Sequence, residues 1–278
     1  MRMDATVRLI GGPGPRNFGE HLAGIGRLSG ASVTPLTSAC WRVAMPGGRY
    51  PLLRALLPWS RREGAMIAVS DAAQSHPLRG VLFDLDATLT ACEFLDTLAA
   101  AAGFGERTEA LTRAAMEGRM DFETSYRTRL QRFAGMPVAR MQPQIDALPL
   151  AEGAADLCAA LHARNLPTAI VTGGYARVGR EVQQRLGIGR LYATELEECD
   201  GCLTGALAGP LLDAAAKVDA LDDFCAHYGL QRADCAAVGD GANDLPLLAA
   251  AGCGILYTAA PDRPEQARPI NLLLELFE

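Results

Sequence analysis

No stretch of this chain approaches the ~18 consecutive apolar residues that a membrane-crossing helix requires, so the sequence offers no spanning segment. Basic charge is not in surplus either: 26 Lys and Arg stand against 32 Asp and Glu, a formal net charge of −6. Proteins that grip a phosphate backbone concentrate Lys and Arg, so the charge balance argues against nucleic acid as the main partner. The first residues, Met1-Arg2-Met3-Asp4-Ala5, bring an acid early and no long apolar region, which predicts no secretory signal. The eight cysteines are scattered through apolar segments of a chain too long to need stapling, which predicts reduced thiols in a cytoplasmic protein. Cys199 and Cys202 form a Cys-x-x-Cys pair, but no second pair and no histidines follow at metal-ligand spacing, so half of a zinc site is missing. Asp200-Gly201 between them predicts a hairpin turn, with a redox or metal role as the alternative. No internal repeat or low-complexity segment stands out.

What is present suits a folded protein: 49% hydrophobic and 21% charged residues, in a length that fits about two domains. Residues 1–76 predict an α+β domain of their own. Thr6 to Ile10 alternates as a strand, and His21 to Leu28 carries Leu22, Ile25 and Leu28 at helical spacing. Ala31 to Leu36 and Cys40 to Ala44 can pair, Tyr50 to Trp59 is a second helix, and Ala65 to Val69 closes the set. The order β-α-β-β-α-β is that of a ferredoxin-like split unit. Ser70 to Arg79 reads as a linker. Residues 77–278 then form the second domain. Thr90 to about Asn165 is helical in pattern, which predicts a small helical cap at about 91–165, inserted directly after a strand, with the last of its helices, Ala151 to Ala163, expected to return to the core. Beyond it strands and helices alternate, from Pro167 to Val171 through Ile255 to Tyr257, as in a doubly wound, Rossmann-like α/β parallel sheet.

The chain is organised around Val81-Leu82-Phe83-Asp84-Leu85-Asp86-Ala87-Thr88-Leu89-Thr90. An apolar strand runs into two carboxylates two residues apart. Buried and unpaired, they are costly. The cost vanishes if the strand ends in a crevice and the acids hold a cation, because open α/β sheets bind ligands beyond the carboxyl ends of their strands. A solvated acidic turn is the alternative. Further on, Val171-Thr172-Gly173-Gly174 ends a second apolar run, Lys217 sits alone in Ala214-Ala215-Ala216-Lys217-Val218, and Ala237-Val238-Gly239-Asp240-Gly241-Ala242-Asn243-Asp244 ends a third.

These four motifs, in this order, resemble the haloacid dehalogenase superfamily of phosphatases, and over roughly 78–260 its phosphoserine phosphatase branch. The length and position of residues 1–76 resemble the ACT-type amino-acid-sensing domains that precede some members. The resemblance implies roles. Asp84 is the nucleophile that forms an aspartyl-phosphate, and Asp86 is the general acid and base. Lys217 stabilises the transition state. Thr172, Gly173, Lys217 and Asn243 bind phosphate. Mg²⁺ is held by Asp84, the carbonyl of Asp86, and Asp240. Thr88 holds the loop backbone, and Asp244 supports the metal site. Glu93, Met116, Phe122 and Arg129 match the positions that hold phosphoserine. On a helix, Phe122, Tyr126, Arg129 and Phe133 share a face, so Arg129 either snorkels outward or receives a substrate carboxylate. Ala87 and Thr172 stand where the branch usually has Ser. Thr258-Ala259-Ala260-Pro261 replaces a more usual His-Ala-Lys-Pro, removing a charge near the site's edge.

The expected function is therefore Mg²⁺-dependent hydrolysis of O-phospho-L-serine, the last step of serine biosynthesis. The partners expected are a small phosphoester, no nucleic acid and no membrane, with a homodimer and an amino-acid effector at residues 1–76 compatible with the pattern. A phosphatase or phosphotransferase for another small phosphorylated metabolite is the nearest alternative, and an amino-acid-sensing regulatory protein the non-enzyme one.

Overall fold

The computed structural model describes residues 2–74, 77–103, 105–116 and 119–277, with the side chains of residues 2, 3, 107, 116, 122 and 264 outside that description. The N-terminal elements are β1 (Arg2–Gly11), α1 (Pro15–Ser29), β2 (Ser32–Thr37), β3 (Cys40–Pro46), α2 (Arg49–Glu63) and β4 (Met66–Asp71). They pair antiparallel in the order β2-β3-β1-β4, the ferredoxin-like arrangement expected. Helix α1 buries Phe18, Leu22 and Ile25, at i, i+4 and i+7. Leu28, expected on that stripe, is 93% exposed: because the helix begins at Pro15, the buried stripe starts at Phe18 and has rotated away by residue 28. Helix α2 buries Leu52, Leu53, Leu56 and Leu57 and tolerates Pro58 inside it.

The second half follows with β5 (Gly80–Phe83), the helices α3 (Phe94–Ala101), α4 (Gly105–Met116), α5 (Phe122–Leu130) and α6 (Gln142–Asp146), and then α7 (Ala154–Ala163). After these come β6 (Thr168–Tyr175), α8 (Ala176–Leu186), β7 (Arg190–Thr194), β8 (Leu196–Cys199), β9 (Cys202–Leu207), α9 (Ala214–Tyr228), β10 (Cys235–Gly239), α10 (Leu245–Ala250) and β11 (Cys253–Leu256). Strands β11-β10-β5-β6-β7 lie parallel, with β5 in the middle. Parallel strands of this kind are covered on both faces and read as continuous apolar runs, as β5 and β10 do.

The two halves form one sheet. Strand β4 pairs antiparallel with β11, from Ser70↔Cys253 to Leu256↔Ile67, making nine strands in a row. Alternate residues of β4 serve both faces. Ile67 and Val69 join a core that holds Leu52 and Leu56 of α2 together with Leu82, Val171, Leu221 and Leu256, whereas Met66 and Ala68 face the other core. Ser70, assigned to a linker from sequence, is a paired strand residue for this reason.

The cap leaves and re-enters the sheet through a narrow stalk. Thr90 bridges Leu150, Ala91 N donates to Pro149 O (2.9 Å) and Ala151 N to Leu89 O (2.8 Å). The cap therefore closes at about residue 150 rather than 165, because α7 buries Leu157 and Leu161 in the main core. Asp200 (φ 49°) and Gly201 (φ 76°) make the tight turn of the β8–β9 hairpin, a two-stranded sheet of its own. That hairpin docks on the cap through Gly135 N to Leu203 O (2.8 Å) and Val138 N to Gly201 O (2.9 Å). All eight cysteines are free. Among the described residues no helix is long and apolar enough to cross a membrane.

A core shared by both halves predicts a single unfolding event. Leu56→Ala, which deletes a fully buried side chain, should cost about 2–5 kcal/mol and lower one calorimetric transition without splitting it. Two separate transitions in the unmutated protein would show that the halves do not share a core.

Candidate active site

The carboxyl ends of three strands, β5, β6 and β10, and the start of helix α9 converge on one crevice. Asp84 follows β5, and its N–H donates to Val238 O of β10 (2.9 Å), so the chain turns at the sheet's carboxyl edge. The loop Leu85–Leu89 holds Ala87 at φ 53°, a left-handed conformation unusual for a residue with a Cβ. Thr90 fixes this loop: its Oγ1 donates to Leu85 O (3.1 Å) and Cys92 O (3.0 Å). That is the role expected of Thr88, whose own Oγ1 is buried with no partner. Two residues further along the loop, Thr90 reaches both carbonyls.

Lys217 lies in the first turn of α9, capped by Asp213, which accepts from Ala215 N and Ala216 N. It is fully buried, so the solvated lysine that an Ala-rich helix start suggests is excluded. Its Nζ donates to Asp84 Oδ1 and to Asp244 Oδ1, each at 2.6 Å. Burial opposes the ammonium charge, but the carboxylates of Asp244 and Asp84 outweigh it and hold Lys217 above its ordinary range. Asp244 is further fixed by Gly241 N, which donates to its Oδ2 (2.9 Å). A Cβ on Gly239 would lie 2.6 Å from Asp244 Cγ, so the last residue of β10 must be glycine for this carboxylate to fit.

Asp84, Asp240 and Asp244 bring ligand oxygens within 4.8 Å of one another, all buried. Asp240 accepts from Arg61 Nη1 of α2 through Oδ2 (2.9 Å), and its Oδ1 has no protein partner. An orphaned buried carboxylate oxygen in a set of hard oxygen donors fits a small divalent cation. Asp244 already has both oxygens engaged, by Lys217 and Gly241, so Asp84 and Asp240 are the better placed ligands.

Burial pushes the carboxyls upward. It raises Asp86 to about 6, against the opposing hydrogen bond from Phe94 N to its Oδ1 (2.8 Å). Burial raises Asp240 to about 7, with Arg61 pulling the other way. Asp84 also lies well above its ordinary range through burial, although Lys217 opposes this, and Glu93 does so through burial and the nearby Asp86. Asp86 is pressed against the second motif: a Cβ on Gly174 would sit 2.7 Å from Asp86 Oδ2. Gly174 N donates to Thr172 Oγ1 (2.8 Å), which orients that hydroxyl.

The cap supplies Arg129 from α5. It is 2% exposed, so it does not snorkel. Its Nη1 donates to Thr112 Oγ1 (2.6 Å), which donates to Asp96 Oδ1 (2.8 Å), and its guanidinium lies 5.6 Å from the Tyr126 ring centre. Arg129 Nε is buried with no acceptor. Asp84, Asp86, Glu93, Arg129, Thr172, Gly173 and Asn243 line one inner cavity of ≈ 20 Å³, and Asn243 Oδ1 is buried there without a partner. That is little more than the room of a single water. The side chains of Met116 and Phe122 lie outside the described residues. An outer groove of ≈ 930 Å³ lies over the cavity, lined by Arg54, Leu57 and Arg61 of α2 and by Glu93, Thr112 and Asn243. Arg61, Asp96, Thr112 and Thr90 are the site residues that sequence reasoning missed. Thr90 ends the first motif but carried no expected role, and the other three stand in no motif; each is defined by a partner distant in the chain or by loop geometry.

The raised carboxyls set the sign of a pH dependence. An acid that binds its proton more tightly when folded stabilises the fold at low pH and loses that contribution as pH rises to its folded pKa. From the ordinary ~4 of a free aspartate to the values of about 6 and 7 for Asp86 and Asp240, the cation-free protein should therefore lose stability with rising pH. A divalent cation should flatten that slope, and Asp240→Asn should reduce it. Thermal melts that show stability rising across this window would contradict the described electrostatics.

Comparison with known proteins agrees with this geometry. The haloacid dehalogenase-like hydrolase profile matches residues 81–249. A phosphoserine phosphatase of Mycobacterium tuberculosis is 36% identical over 242 residues, 86% of this chain and 59% of that protein. One of Halobacterium salinarum is 40% identical over 177 residues, 63% of this chain and 83% of that protein. The chain thus spans about three fifths of the mycobacterial relative and more of the archaeal one. A solved phospho-aspartyl intermediate analogue of phosphoserine phosphatase superposes with a TM-score of 0.66 at 31% identity, covering 73% of this chain and all of that one. A hydrolase from Salmonella enterica serovar Typhi covers 100% of this chain and 99% of its own, with a TM-score of 0.68 at 25% identity. With the aspartates, the threonine-glycine turn and the buried lysine gathered at one sheet edge, the chain belongs to the haloacid dehalogenase-like hydrolase family.

Proposed function

We propose that this protein is a phosphomonoesterase that hydrolyses O-phospho-L-serine through an aspartyl-phosphate on Asp84. The observation that carries the proposal is the buried ion cluster in which Lys217 bridges Asp84 and Asp244 beside the orphaned oxygen of Asp240. Asp84 and Asp240, with the carbonyl of Asp86, would hold Mg²⁺, which when bound supplies charge to a phosphate and keeps Asp84 ionised. Asp84 must be a carboxylate to attack, and burial works against this. The Lys217 ammonium at 2.6 Å favours the ionised form. One oxygen of Asp84 bonds to phosphorus as the ester oxygen departs. Asp86, held high by burial, gives its proton to that ester oxygen and then takes one from the water that attacks the phosphorus, while the bond from phosphorus to Asp84 breaks, restoring its carboxylate and releasing phosphate. Thr172, Gly173 and Asn243 face the same cavity, where a hydroxyl, an N–H and an amide suit phosphate oxygens.

Arg129 and Glu93 give the substrate class. A buried guanidinium N–H without an acceptor calls for an anion, and a carboxyl pushed upward by burial calls for a cation beside it. A phosphorylated α-amino acid carries both, a carboxylate and an ammonium, next to its phosphate. To the same reading belong a cytoplasmic setting, a regulatory or assembly role for residues 1–76 as an ACT-like unit with an amino-acid effector or a homodimer, and 77–278 as the phosphatase part.

Phosphate release from phosphoserine with and without Mg²⁺ tests the activity. Asp84→Asn, which keeps shape and removes the attacking charge, should abolish turnover in a folded protein. For the substrate, a charge-assisted hydrogen bond is worth roughly 1.5–3 kcal/mol, about one to two decades of selectivity. Arg129→Ala should therefore reduce kcat/KM for phosphoserine about ten- to a hundredfold more than for p-nitrophenyl phosphate. Equal losses on both substrates would leave Arg129 a structural residue of the cap.

A further inference from the structure

The reaction described above uses nothing from the N-terminal elements, yet one of them touches its centre. Arg61, in the last turn of α2, donates from Nη1 to Asp240 Oδ2 (2.9 Å) and, at longer range, to Asp240 O (3.4 Å). Asp240 is 1% exposed and the Arg61 side chain 21% exposed, on the side of the outer groove. This is not a wandering surface arginine. The helix that carries it is anchored at its start, where Arg49 donates to Gly252 O (2.9 Å) and Ala249 O (2.7 Å), and along its length by Leu52, Leu53, Leu56 and Leu57. At its end Asp262 N donates to Arg61 O (3.3 Å).

A guanidinium and a divalent cation are alternative counter-charges for one carboxylate. Arg61 acts on a cation at Asp240 in two opposed ways. It orients the carboxylate, which favours binding, and it repels the ion, which disfavours it. The first gain is limited to freezing the torsions of one aspartate side chain. The second scales with the product of a single and a double charge across one carboxylate, in surroundings that screen little. The repulsion is the larger.

We propose that Arg61 is a positioning residue of the metal site that competes with the cation for Asp240, so that the N-terminal helix α2 sets how tightly the phosphatase centre holds its metal. The inference rests on the metal reading given under the proposed function. Coupling between sites is reciprocal, so a bound cation loosens the end of α2, and anything that draws α2 away tightens the metal site.

Calorimetric titration of Mg²⁺ alone into the full-length protein tests this, without substrate. Arg61→Ala should bind Mg²⁺ about tenfold tighter or more, within the ~5–150-fold span of ordinary couplings. Arg61→Lys, which keeps the charge, should stay within about threefold of the unmutated protein on the same scale. Amide exchange in the last turn of α2 should quicken when Mg²⁺ is added to the unmutated protein. A merely structural role would lower the melting temperature of both variants and tighten neither. If Arg61→Ala does not fold, Arg61→Gln keeps the reach without the charge and serves in its place. An uncharged variant that binds Mg²⁺ no tighter than the unmutated protein overturns the proposal. An unmutated protein that neither binds Mg²⁺ nor releases phosphate from phosphoserine overturns the functional reading instead.

Discussion

The Lys217 ammonium, fully buried between Asp84 and Asp244, is the contact on which the rest of the centre depends. Three aspartates with oxygens within 4.8 Å of one another, all out of water, would repel strongly without a cation among them. Removing one partner of a buried ion pair costs about 3–5 kcal/mol, because the other charge is left uncompensated. Lys217 satisfies this need from within the chain, and its helix is placed to do so: Asp213 caps α9, and the first turn then points the side chain at the carboxyl edge of the sheet. The same ammonium favours the carboxylate form of Asp84, the form that the proposed attack needs. Stability and chemistry therefore draw on one interaction.

The second organising feature is that the sheet does not stop where the catalytic half begins. Pairing of β4 with β11 makes the ferredoxin-like strands an extension of the parallel sheet, and it places α2 against α10. From there α2 forms one wall of the groove over the site, opposite the cap. The matched family region, 81–249, contains the aspartates and the lysine but not this wall. The chain thus surrounds a common centre with two boundaries, a cap held on a narrow stalk and a helix from the N-terminal half.

Much of the centre was legible in the sequence because its chemistry is local. Asp84 and Asp86 follow β5, Asp240 through Asp244 follow β10, and Thr172 and Gly173 stand in the C-terminal half of β6 just after its apolar run, and strand ends in such a sheet meet at one edge. The β-α-β-β-α-β order of the first half was legible for the same reason, since each element carries its own periodicity. What escaped depends on long-range geometry. Arg61 meets Asp240 across 179 positions, and nothing near either residue marks the pair. Asp96 and Thr112 matter only through the chain of hydrogen bonds they make to Arg129 once α3, α4 and α5 have packed. The return of Ala151 to Ala163 to the core was legible, but the cap's end was still set at about residue 165 because α7 has the same apolar composition as the cap helices. Burial against the main core, and not composition, separates them. Ser70 read as linker because a polar residue after an apolar strand resembles a turn, whereas β11 was there to pair with it.

The central claim is that Asp84, held by Lys217, bonds covalently to phosphorus. Its most direct test is a rapid acid quench of the full-length protein with phosphoserine labelled at phosphorus, in the presence of Mg²⁺, followed by peptide mapping. The account predicts label on the peptide that contains Asp84, formed within one turnover and absent from Asp84→Asn. Label on any other residue, or turnover with no labelled protein at quench times shorter than a turnover, would contradict it.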